Sequence, residues 1–139
     1  MSSPAPLRPE ELDRLSAMDP ETRAAWMLED CARHEEAWLL RDENGWVLQK
    51  LVNPPANRSP YALPVWSRQE LAALAARDAD DQPECVSLED LIEEILPEVA
   101  ERGWHCLVCP DKNGGLALEP GELAERLSRT WSELEEEMD

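Results

Sequence analysis

Residues 37–50 read AWLLRDENGWVLQK, two apolar runs on either side of Asn44-Gly45. Asn-Gly readily takes the positive φ values of a tight turn, so the stretch is expected to fold as a β-hairpin. A second signal of the same kind lies in residues 104–118, WHCLVCPDKNGGLAL. Trp104 to Cys109 is expected as a strand ended by Pro110, Asp111 to Gly115 as a turn, and Leu116 to Leu118 as the returning strand. Hairpins imply antiparallel pairing.

The rest of the chain is mostly helical in period. Pro9 suits the first turn of a short helix, and Asp19-Pro20 reads as N-cap and first helical residue of a second. Ala24, Met27, Leu28, Cys31 and Ala32 then fall on one side. Residues 52–61 (VNPPANRSPY) are a loop, and 62–66 a short strand whose Pro64 must sit where no ladder bond is needed. Ser67-Arg-Gln-Glu70 has the form of a capping box opening a helix through Leu71, Leu74 and Ala75, followed by an acidic loop over 76–83. Ser87 caps the next helix, whose stripe is Leu88, Leu91, Ile92, Ile95 and Val99, with a kink or break predicted at Pro97. Pro120 opens the last, with Leu123, Leu127, Trp131, Leu134 and Met138 in one stripe. The expected fold is α+β: a single domain over residues 9–139, an antiparallel or mixed sheet of about five strands with helices packed against it. A disordered lead (1–8) precedes it, and its acidic end, 133–139, is expected to fray because carboxylates there oppose the helix dipole.

Charge limits the partners. The 139 residues carry 31 acidic and 13 basic side chains, net charge -18. A nucleic-acid binder needs the opposite sign, and an anionic membrane surface repels this one. A basic protein partner is permitted, and so is a homo-oligomer. The start is polar and proline-rich, without the apolar core of a signal peptide, and no apolar run is long enough to span a membrane. A cytoplasmic location is therefore expected, where cysteines stay reduced.

Two short-spaced pairs, Cys31-x-x-His34 and Cys106-x-x-Cys109, meet the ligand count of a zinc site. Strand alternation argues against it by turning Cys106 and Cys109 to opposite faces. A redox pair would sit at a helix N-terminus, which this one does not. Buried strand cysteines are the expected outcome, with no metal and no cofactor. Neither His34 nor His105 sits in a hydrolase signature, and no glycine-rich phosphate loop or complete calcium loop occurs. No catalytic residue is expected. Trp38, Trp46 and Trp66 fall in adjacent strand segments and are the candidate ligand- or partner-binding residues, with core filling as the competing role in a chain without Phe.

Glu36-x-Trp38-x-Leu40, Gly45-Trp46, Leu63-Pro-Val-Trp66, Val86-Ser-Leu88, Leu96-Pro97, Pro110, Gly115 and Pro120-x-x-Leu123 occur in this order. The series resembles a bacterial family of small proteins catalogued as domain of unknown function 2750, over residues 12–130. The resemblance implies no activity and no catalytic residues. Cys106, Cys109 and Trp104 stand outside its pattern, and the loop at 52–61 is longer than usual for it. Residues 63–123 are also similar in order to SseB-like domains linked to type III secretion and accessory roles, a likeness of fold. The expected function is a non-enzymatic accessory or interaction module, immunity-type in one version, engaging a basic protein. The alternative is a small enzyme or ligand-binding protein with a Trp-lined pocket.

Overall fold

The first hairpin turns one residue earlier than Asn44-Gly45 predicts. In the computed structural model, which describes residues 6–51, 59–111 and 114–138, β1 (Glu36–Asp42) pairs with β2 (Gly45–Trp46) through Arg41↔Trp46 and Asp42↔Gly45. Glu43 and Asn44 are the central pair of the turn. Asp42 Oδ1 accepts from the Asn44 N–H at 2.8 Å, and the positive φ, 120°, falls on Gly45. Glycine takes that conformation without the Cβ clash.

The returning arm then changes sheets. β3 (Gln49–Lys50) pairs with β4 (Tyr61–Val65), not with β1. Of the loop expected over 52–61, residues 52–58 lie outside the described residues. β6 (His105–Asp111) and β7 (Gly114–Leu118) complete a four-stranded sheet in the order β3-β4-β6-β7. β4 and β6 run parallel, from Ala62↔His105 to Val65↔Val108, while the other pairs are antiparallel. A parallel pair needs a long crossover. Here it contains α3 (Gln69–Ala75), β5 (Gln82–Ser87), α4 (Leu88–Asp90), a π-helical turn (Leu91–Ile95) and α5 (Leu96–Glu101).

β5 is a strand that the sequence reading does not predict; only its first two residues fall in the loop expected over 76–83. It pairs antiparallel with β1 from Glu36↔Ser87 to Arg41↔Gln82, giving a three-stranded sheet in the order β2-β1-β5. Pro83 and the acids around it hide the strand from a pattern reading, yet an edge strand tolerates both. One bridge joins the two sheets. Trp38 N–H donates to Trp66 O at 2.7 Å, and Trp66 N–H to Trp38 O at 3.0 Å. Pro64 falls between this bridge and the β3 pairing, opposite no paired residue on that side, so its missing N–H costs no ladder bond. The fold class is α+β as expected, with seven strands among the described residues shared between two linked sheets.

α1 (Pro9–Ala17) and α2 (Pro20–His34) both begin on proline, with Asp19 extended at the second N-cap but making no side-chain capping bond. Ala24, Met27, Leu28, Cys31 and Ala32 all bury against the core, as their spacing requires. α6 (Pro120–Met138) packs beside α2 and buries Leu123 and Leu127, with Trp131 and Leu134 half-buried. Ser87 caps α4, its Oγ accepting from Asp90 N–H at 3.1 Å. The break expected at Pro97 takes the form of the π-helical turn that ends just before it. A ring nitrogen without hydrogen cannot close the normal i→i−4 bond, and the wider turn accommodates that loss.

The capping box at Ser67 does not form. Arg68 occupies the N-cap of α3, one residue later, held by Asp30: Nε to Oδ2 at 2.7 Å and Nη2 to Oδ1 at 3.1 Å. Glu70 reaches instead to the backbone N–H of Leu7, at 2.8 Å. No helix among the described residues is long and apolar enough to cross a membrane.

Candidate functional site

Pro110 does not end its strand. Between Val108↔Leu116 and Asp111↔Gly114, Cys109 and Pro110 stand opposite Gly115 alone, a β-bulge with Cys109 at φ 46°. Arg23, 3% exposed, ties this bulge to four other residues. Its Nε donates to Cys109 O (2.9 Å) and its Nη2 to Gly114 O (2.5 Å), and Nη1 contacts Leu15 O, Met18 O and Asp111 Oδ2 at 3.4, 3.3 and 3.2 Å. The indole Nε1–H of Trp66 donates to Pro110 O at 3.0 Å.

Cys106 and Cys109 are both buried, as expected, and join the core cluster together with Cys31. Burial pushes the Cys106 and Cys109 thiols up to about 12. It also raises that of Cys31 well above the ordinary thiol range. Charges near Cys106 come from Glu119, those near Cys109 from Arg23, Asp111 and Asp30. His34 Nδ1 lies 3.0 Å from Asp30 O, and His105 Nε2 lies 3.3 Å from Glu119 Oε1. Among the described residues no three His, Cys, Asp or Glu side chains are grouped to hold a metal.

The three candidate tryptophans do not share one face. Trp38 and Trp66 are direct partners across the bridge, and Trp66 is 1% exposed. Trp46 pairs with Arg41, three residues beyond Trp38 on the same strand, so period two places it on the opposite face. The Arg41 guanidinium sits 5.1 Å from its ring centroid. Trp66 forms one wall of a cleft of about 570 Å³. Leu12, Leu15, Leu71 and Leu74 line the cleft, with Arg77 and the bulge at its polar side. Leu74 is 71% exposed at this cleft.

A smaller groove, about 300 Å³, lies between the π-helical turn and α6. Ile92 and Trp131 give it an apolar floor, and Glu89, Glu93, Glu135, Ser128 and Ser132 its polar walls. Trp131 is held by its Nε1–H, which donates to Glu35 Oε1 at 3.2 Å. Glu29, Glu84, Glu98, Glu122 and Glu125 each pair with an arginine, whereas Glu10, Glu43, Glu94 and Glu101 are among the acids in no such ion pair among the described residues. Among the described residues Glu89, Glu93 and Glu135 likewise have no cation partner.

A family model described as Protein of unknown function (DUF2750) matches residues 24–127. The chain belongs to the DUF2750 family. No curated protein and no solved structure matches it. Four residues of the family-like series meet at one place in this DUF2750 protein: Trp38 bridges to Trp66, Trp66 donates to Pro110, and Pro110 presses on Gly115. The acidic groove straddles the end of the match. Glu89, Ile92 and Glu93 lie inside it, while Ser128, Trp131, Ser132 and Glu135 lie beyond. Sequence reasoning missed the groove, because the acids look like solvated helix faces until two elements 40 residues apart are packed together. It also missed Arg23, whose only signal is its place four residues before Met27 on the buried stripe.

Proposed function

We propose that this DUF2750 protein is a cytoplasmic, non-enzymatic accessory module that binds a basic segment of a protein partner in the groove between the π-helical turn and α6. The observation that carries the reading is the set of three carboxylates without cations, Glu89, Glu93 and Glu135, around the half-buried Trp131. A lysine or arginine entering the groove meets charge on its walls and an indole on its floor. Ion pairing at a surface and contact between a cation and an aromatic face each contribute about 0.5–1 kcal/mol, so several such contacts are needed for useful affinity. The net charge of -18 steers a cationic partner towards the molecule from a distance. An immunity-type protein that neutralises a basic toxin is one form this role takes.

Affinity capture with the purified protein, comparing wild type with a Glu89→Gln/Glu93→Gln/Glu135→Gln variant, tests it. A basic protein retained at low salt, released at high salt and lost with the variant is the expected result. Nothing retained at either salt, or equal retention by the variant, overturns it.

A second reading, a ligand-binding protein or small enzyme, is favoured by the cleft beside Trp66, whose volume suits a small molecule and whose rim exposes Leu74. A fragment screen followed by the methyl signals of Leu71 and Leu74 checks it, and unmoved methyls across the screen count against it.

A further inference from the structure

The two sheets have four edges, and three are blunted. β2 and β3 are two residues long. β5 carries Pro83 and Glu84. Short strands, proline and charge are the devices that keep a sheet edge from recruiting another strand. β7 has none of them. It is five residues, Gly-Gly-Leu-Ala-Leu, uncharged and without proline, at the end of the order β3-β4-β6-β7. α2 lies against the sheet here, yet Gly114 and Ala117 are exposed. Gly114 O accepts from Arg23. Among the described residues, no backbone group of Gly115 to Leu118 bonds outside its pairing with β6.

We infer that β7 is a docking edge that takes an extended, cationic segment of another protein as an added antiparallel or parallel strand. An edge of unpaired N–H and C=O groups is complemented by another backbone in extended form, and main-chain bonds supply the affinity. The sign of the segment follows from charge. A second copy of the chain would bring its own -18 to the contact, whereas a lysine- or arginine-bearing strand is attracted by it. The edge shares no residue with the Trp131 groove, so this inference stands or falls apart from the proposed function.

The test uses the full chain and a synthetic peptide of alternating Val and Thr flanked by lysines, followed by backbone amide signals and amide exchange at millimolar peptide. Alternate amides of Gly115 to Leu118 are expected to become protected. Ala117→Lys, which places a like charge on the exposed edge without touching the core, is expected to weaken the effect about fivefold, and Ala117→Glu to preserve it. The inference is overturned if the β7 amides stay unprotected while the chain is folded. It is also overturned if Ala117→Lys binds as well as wild type, or if the free protein already pairs with itself through β7.

Discussion

Gly115 has no room for a Cβ. Built there, the atom would stand 2.9 Å from Pro110 Cα and 2.9 Å from Val108 O, both backbone, so neither contact can be relieved by turning a side chain. Gly115→Ala is expected to destabilise the protein by about 1–3 kcal/mol, read as a lower urea midpoint at unchanged slope. Arg23 is the second residue on which this corner depends. Arg23→Met keeps the apolar stem but leaves Cys109 O without its donor and the Asp111 carboxylate without this cation. A loss of about 3 kcal/mol is expected in the same melt, since breaking a buried pair leaves one partner uncompensated. A change below 1 kcal/mol in either variant would mean that the corner relaxes around the defect.

At the scale of elements, the helices were the most legible part of the chain. The stripe from Ala24 to Ala32, the Ser87 cap and the Pro97 break all follow from local spacing. Local spacing does not carry what depends on a distant partner. β5 becomes a strand only because β1 offers it an edge, and the parallel β4–β6 pair exists only after a crossover of some 40 residues. Ser67 fits the capping pattern, but Asp30, 38 residues earlier, draws Arg68 into the cap. The acidic groove escapes a sequence reading for the same reason: its acids come from two elements that meet only in the folded chain. α6 is helical through Met138, and its acidic last turns have no basic residue to offset the dipole. Amide exchange is expected to be fast from Glu135 to Met138 and slow around Leu123 and Leu127. Uniform protection along the helix would contradict this.

For the whole molecule, two electrostatic consequences are measurable. The buried thiols of Cys106 and Cys109 titrate at about 12, against 9.0 for an ordinary thiol. The unfolded chain therefore releases these protons first as pH rises. Their contribution to stability is fully present below pH 9 and is lost progressively between about 9 and 12. A Cys106→Ala/Cys109→Ala variant should lose less stability than wild type over that window, whatever its stability at pH 7.

The second consequence is binding itself. Acids without cations around Trp131, in a chain of net charge -18, make the groove the expected seat of a basic partner. Calorimetric titration of a lysine- and arginine-rich peptide, at low salt, into wild type and into the Glu89→Gln/Glu93→Gln/Glu135→Gln variant measures this directly. Saturable binding to wild type, weakened at least tenfold in the variant and falling steeply with added salt, is the predicted result. Equal affinity for the two proteins would contradict it.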